Sequence, residues 1–132
     1  MATEIQILLV EDSDYDIAIM KARFRTDHRF NLVSVATLKD AIAKLQEVAI
    51  DVILTDLSLP DSSGFSTFTQ LHTACPEVPI VILTGDDDIT KALEAIRLGA
   101  EDYVPKTEGD IKVLVRALLY AFERNARRLR QQ

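Results

Sequence analysis

Five side chains in this sequence are of the types that handle phosphate and hard metal ions, and all sit just past a strongly apolar run. Glu11 and Asp12 follow Ile5 to Val10, and Asp56 follows Asp51 to Thr55. Thr84 closes the run Ile80 to Leu83, and Lys106 lies just past Tyr103 and Val104. Each has an ordinary explanation alone. Acids after a strand often cap the next helix, as Asp14 or Asp16 would here, and a loop lysine is usually solvated. Their convergence is harder to explain that way. Three adjacent carboxylates raise one another's pKa unless something neutralises them. A hard divalent cation does so, and Mg²⁺ commonly takes one or two carboxylates plus water and phosphate oxygens. The lysine ammonium and the threonine hydroxyl are also suited to phosphate oxygens, the equipment of phosphoryl transfer.

With only four glycines, none in a GxGxxG or GxxxxGK[ST] arrangement, the chain lacks a loop that would cradle a nucleotide. The phosphoryl group is then expected to end on a side chain, and aspartyl phosphates are known chemistry. Asp56 is the candidate acceptor, because it ends the middle strand. The segment after it, Leu57 to Gly64, is rich in turn residues and open to a donor.

The elements that must place these groups follow from periodicity. Ile5 to Val10, Phe30 to Val35, Asp51 to Thr55, Ile80 to Leu83 and Tyr103-Val104 read as strands. Between them, Ile17, Met20 and Phe24 keep helical spacing, as do Leu38, Ile42, Leu45 and Ala49. Phe65, Phe68 and Leu71 mark a third helix, and Ile89, Leu93, Ile96 and Ala100 a fourth. Ile111, Leu114, Val115, Leu118 and Phe122 mark the fifth. Strict alternation predicts an α/β, doubly wound, five-stranded parallel sheet covered by helices on both faces. The first, third and fourth strands are almost continuously apolar and belong in the centre. The polar-interrupted second and the short fifth belong at the edges. The strand order 2-1-3-4-5, already known among doubly wound folds, satisfies this. In such sheets ligands bind beyond the carboxyl ends of the strands, where all five side chains fall.

Composition narrows the function. At 132 residues, 48% hydrophobic, the chain suits one domain with one core. No segment approaches the roughly 18 apolar residues of a membrane span, and the first residues lack a basic secretory opening. One cysteine, Cys75, fits a reducing cytoplasm. The net charge of −6 argues against general nucleic-acid binding. The charge is uneven: Arg124, Arg127, Arg128 and Arg130 crowd the last helix, while acids gather at Glu11 to Asp16 and Asp86 to Asp88. His28 and His72 lie off the rim and read as surface residues.

The motifs in order resemble the receiver domain of two-component signalling, over essentially the whole chain. Leu-Leu-Val-Glu-Asp-Ser resembles that family's acidic pair, and Ile-Leu-Thr-Asp-Leu-Ser-Leu-Pro-Asp-Ser-Ser-Gly its phospho-acceptor segment. Val-Ile-Leu-Thr-Gly resembles the switch-threonine strand, and Gly-Ala-Glu-Asp-Tyr-Val-Pro-Lys the aromatic and lysine segment. The resemblance implies a flavodoxin-like fold and an Mg²⁺ cofactor held by Asp12, Asp56 and the Ser58 backbone carbonyl, with Glu11 acting through water. It implies that Thr84 and Lys106 hold phosphoryl oxygens and that Tyr103 follows Thr84 as a switch. It also implies a sensor histidine kinase or phosphotransfer protein as donor, with a cytoplasmic location. One departure stands out. The family's lysine is commonly followed by a proline in a cis peptide, whereas here Pro105 precedes Lys106 and Thr107 follows. A cis bond before threonine would cost roughly 3 kcal/mol, so a trans peptide and an altered loop are expected. Ser58 and Asp86 occupy the positions that tune phosphate lifetime in that family.

Other readings fit less well. A haloacid-dehalogenase phosphohydrolase places its nucleophile on the first strand, with a second aspartate two residues later. An FMN carrier needs a hydroxyl- and glycine-rich first loop. A degenerate scaffold would have lost part of the acid, threonine and lysine set. Residues 1–132 are expected to form a single receiver domain without an effector domain. Its output is then expected through a downstream protein partner or homodimer, with neither nucleic acid nor membrane contacted directly. Val113, Ala117 and Tyr120 form a second apolar stripe on the fifth helix. This stripe lies beside Tyr103 and a fourth helix carrying Lys91, Glu94 and Arg97, and is the expected interface. The terminal arginines are expected to meet acids on a second subunit or to continue a connector helix.

Overall fold

The computed structural model describes residues 4–85, 89–106 and 111–131. Five parallel strands form one sheet: β1 (Ile5–Val10), β2 (Phe30–Val35), β3 (Val52–Asp56), β6 (Ile80–Thr84) and β7 (Asp102–Pro105). Two short strands, β4 (Ser58–Leu59) and β5 (Ser62–Ser63), pair antiparallel as a hairpin in the segment after β3. The sheet order is β2-β1-β3-β6-β7, which among the five sheet strands is the expected 2-1-3-4-5. β1, β3 and β6 are buried almost throughout, whereas in the edge strand β2 only Phe30 is fully buried.

The pleat sends alternate side chains to opposite faces. Ile7, Leu9, Val52, Leu54, Val81 and Leu83 meet helices α1 (Asp14–Phe24) and α5 (Ile111–Arg130) on one face. Leu8, Val10, Ile53, Ile80 and Ile82 meet α2 (Leu38–Glu47), α3 (Phe65–Ala74) and α4 (Ile89–Arg97) on the other. Burying one such Leu or Ile contributes roughly 1.5–3 kcal/mol. The two apolar layers therefore clamp the sheet and leave its carboxyl rim to the polar groups.

Four expectations about helix faces need correction. Ala49 is exposed and lies beyond the end of α2. In α4, Ile89 and Leu93 point outward at 50% and 46% exposure, while Ala92 and Ala95 are wholly buried. The two stripes are one residue, or about 100°, apart on the helix, and the small pair lets α4 lie close against the sheet. Ala117 is only 5% exposed and belongs to the core, while Val113 and Tyr120 are 50% and 55% exposed. Ala117 lies three residues after Leu114 and four before Ala121, both buried, so it shares their face. Finally, Ser13 caps α1, its hydroxyl accepting from the Asp16 amide at 3.2 Å; neither Asp14 nor Asp16 is the cap.

The arginine-rich end of α5 is partly engaged within the chain. Arg124 lies 3.4 Å from Glu101, and Arg128 pairs with the same carboxylate. Arg127 and Arg130 are exposed. At roughly 1.5 Å per residue, α5 is about 30 Å long, and Glu101 ties its far end to the entry of β7.

Candidate functional site

Each group at the carboxyl rim is placed by the end of a strand. Glu11 directly follows β1, and its amide donates to the Val35 carbonyl at 3.0 Å, extending the pairing with β2. Asp56 is the last residue of β3, and Thr84 the last of β6. Lys106 directly follows β7, and its amide donates to the Thr84 carbonyl at 2.9 Å. Parallel pairing aligns these ends, so residues up to 95 positions apart meet.

Lys106 stands at the centre. Its ammonium lies 2.6 Å from Glu11 Oε1 and 2.6 Å from Asp56 Oδ2. A third carboxylate, Asp16 Oδ2, lies 3.4 Å away. Glu11 is 1% exposed. Its second oxygen, Oε2, accepts from the amides of Asp12 at 3.0 Å and Ser13 at 3.2 Å. Asp56 Oδ1 accepts from the Ser58 amide at 3.0 Å, which turns the chain back immediately after the strand. The Thr84 hydroxyl is buried and donates to the Val104 carbonyl at 3.2 Å.

The electrostatics follow from this burial. Desolvation pushes the Glu11 carboxyl above its ordinary range, although Lys106 and the Ser13 amide pull it down. Burial alone would lower the Lys106 pKa. The hydrogen bonds it donates to the Asp56 and Glu11 carboxylates outweigh burial and hold it above its usual value, so the ammonium stays charged.

Oxygens of Glu11, Asp12 and Asp56 all lie within 4.8 Å of one another. Asp12 is exposed, so the cluster opens to solvent on one side. Carboxylates converging at this spacing, with one side open, fit a hard divalent cation that keeps several waters. The arrangement is a shallow rim rather than a cavity. The 630 Å³ groove between α1 and α5 is lined by other residues, among them Ile111, Val115, Arg116 and Leu119.

The structure therefore brings Glu11, Asp12, Asp56 and Lys106 together, with Thr84 at the end of the strand next to β3. Ser58 is exposed and touches Asp56 through its amide. Tyr103 is half-buried, packed against the α2-α3-α4 layer, and its amide donates to Asp102 Oδ1 at 2.7 Å. Asp86, the acids at Asp86 to Asp88 and the Lys106–Thr107 peptide lie outside the described residues. His28 is exposed, His72 stacks on Phe68 with ring centroids 5.5 Å apart, and burial raises the Cys75 thiol. Among the described residues, no helix is long and apolar enough to cross a membrane.

Two residues of the site were missed from sequence. Asp16 reaches Lys106. Asp61 accepts from the Leu38 amide at 2.8 Å and the Lys39 amide at 3.0 Å, tying the β4–β5 turn to the start of α2. These amides hold the Asp61 carboxyl below its ordinary pKa. Helix α2 is thus capped twice, by Asp61 and by Thr37, whose hydroxyl accepts from Asp40 at 3.0 Å. No local signal marks Asp61 as a cap, because it caps a helix more than twenty residues earlier in the chain.

A doubly wound parallel sheet of order β2-β1-β3-β6-β7 carries acids, a hydroxyl and a lysine on its carboxyl rim. Residues 7–118 match the family model described as response regulator receiver domain, and the chain belongs to that family. Among its relatives are the swarming motility regulation protein RssB of Serratia marcescens, 36% identical over 104 residues, and the transcriptional regulatory protein ZraR of Salmonella typhimurium, 30% identical over 103. These alignments cover 77% and 78% of this chain but only 46% and 23% of the relatives, so the chain spans less than half of either. A receiver domain from Clostridium thermocellum superposes with a TM-score of 0.82 at 24% identity, covering 92% of this chain and 97% of that one.

Proposed function

We propose that this chain is a phosphorylation-dependent switch that accepts a phosphoryl group on Asp56 from a sensor histidine kinase or phosphotransfer protein. The observation that carries the reading is the Lys106 ammonium, 2.6 Å from both Asp56 and Glu11 and beside a cluster of three carboxylates. In the transfer, an Asp56 carboxylate oxygen forms a bond to phosphorus. The bond from phosphorus to the donor breaks, and the donor group departs with the electron pair. Lys106 meets the negative charge on the transferred oxygens, and the Thr84 hydroxyl turns from the Val104 carbonyl to a phosphoryl oxygen.

Asp12, Asp56 and the Ser58 carbonyl would hold Mg²⁺, with Glu11 acting through water. When bound, that ion neutralises the clustered carboxylates and the phosphoryl oxygens. On this reading the domain is a phospho-acceptor that takes part in catalysing its own phosphorylation and dephosphorylation, not an enzyme acting on a separate substrate. As Thr84 moves, Tyr103 follows and biases a two-state surface toward a downstream partner or a second copy. Val113 and Tyr120 are exposed apolar residues that α5 would offer to that face.

Incubation with acetyl phosphate and Mg²⁺, followed by intact-mass measurement and hydroxylamine treatment, tests the reading. A labile acyl phosphate is expected on wild type and none on Asp56→Asn. Undiminished labelling of that variant sinks the assignment.

A further inference from the structure

Asp16 has no role among the residues proposed above to bind metal or phosphate, and its position is unusual for its place in a helix. Ser13 is the N-cap of α1, so Asp16 stands three residues on, the capping-box position. An acid there ordinarily folds back to accept from the N-cap amide. Here the Ser13 amide already donates to Glu11 Oε2 at 3.2 Å. The Asp16 carboxylate is left for other use, and it turns to Lys106 Nζ at 3.4 Å. An ammonium has three protons to donate, and Lys106 faces three carboxylates: Glu11 and Asp56 at 2.6 Å, and Asp16 farther out. Asp16 comes from a different element, and at 21% side-chain exposure it holds the ammonium from the solvent side.

We propose that Asp16 is a positioning residue for Lys106. Resting on the reading of Asp56 as acceptor, its role is to keep the ammonium aligned when the Lys106–Asp56 contact is given up to the arriving phosphoryl group. At that moment Asp56 loses charge to the new bond, and Glu11 and Asp16 remain as the two anchors. The ordinary alternative is that Asp16 serves only the helix, where an acid in the first turn favours the macrodipole. That effect would be independent of Lys106.

The two roles separate in a double-mutant cycle read by Asp56 labelling with acetyl phosphate and Mg²⁺. Asp16→Ala should slow labelling at saturating donor about fivefold, while the half-saturating donor concentration moves less than about twofold. Asp16→Glu should recover most of the rate. In a Lys106→Ala background, Asp16→Ala should change the residual rate by less than about twofold. A second readout needs no phosphoryl transfer. In the resting protein, Lys106 should be acylated by an amine-directed reagent about threefold faster in Asp16→Ala than in wild type, relative to Lys21 and Lys39. If wild type fails to label while this footprint still responds, the acceptor reading fails and the tether stands. An equal loss of rate in the Lys106→Ala background overturns the proposal, as does faster labelling of Asp16→Ala or an unchanged footprint.

Discussion

Lys106 and Glu11 form an ion pair at 2.6 Å in which the carboxylate is 1% exposed and the lysine side chain 17%. They are the first residues beyond β7 and β1, and β3 and β6 lie between those strands in the sheet. The pair therefore spans the rim and sets two charges against each other across the acceptor Asp56. Such a pair is costly to break from one side, because the surviving charge stays buried.

Lys106→Met should accordingly destabilise the metal-free protein at pH 7 by about 3 kcal/mol, measured by urea unfolding. The pairing raises the folded-state pKa of Lys106 above its ordinary 10.5. Its contribution is thus fully present below the unfolded value and is lost only as pH rises through the folded one. Wild type and Lys106→Met should differ about equally between pH 7 and 9 and converge at strongly alkaline pH. A difference that vanishes by pH 8 would show that the pair does not carry the stability.

Removing a carboxylate from the cluster should act in the opposite direction. Asp12→Ala is expected to abolish Mg²⁺ binding by calorimetric titration. It should also raise the thermal midpoint of the metal-free protein, since one of the like charges within 4.8 Å is gone. Unchanged Mg²⁺ affinity would remove Asp12 from the site.

The Asp61 tether predicts a local effect with a defined pH window. Asp61→Ala should speed hydrogen exchange at the Leu38 and Lys39 amides, which the carboxylate caps. The folded-state pKa is depressed below the ordinary 3.8. In wild type, therefore, the cap is present above the unfolded value and lost as pH falls through the folded one. Exchange rates at these amides that match between wild type and variant at pH 6 would show that Thr37 alone suffices.

The output face makes a prediction that depends on the corrected position of Ala117. Val113→Glu with Tyr120→Glu alters two half-exposed side chains. It should leave Asp56 labelling intact and weaken phosphorylation-dependent self-association or partner binding by gel filtration. Ala117→Glu should instead lower stability by several kcal/mol, about the cost of burying an unpaired charge. A phosphorylated wild type that stays monomeric, with its partner binding the double variant equally well, places the output elsewhere.

The sequence by itself determined the sheet, its central strands and the residues at its rim. The near-continuous apolar runs of β1, β3 and β6, separated by stretches of helical spacing, are a local signal, and parallel connections admit few topologies. Asp56, Lys106 and the acid pair were legible because strand ends are where a doubly wound sheet places its chemistry. Which side of a helix faces inward was less so. Ala92, Ala95 and Ala117 carry too little apolar weight to outvote Leu93 or Val113 in a pattern, yet close approach to the sheet selects them. Contacts made by a carboxylate at long range were not legible at all. Asp16 turns to Lys106 while the Ser13 amide is taken by Glu11, and Asp61 caps a helix that precedes it in the chain. Both depend on which donors are already satisfied once the rim is assembled, and that is decided by the tertiary structure.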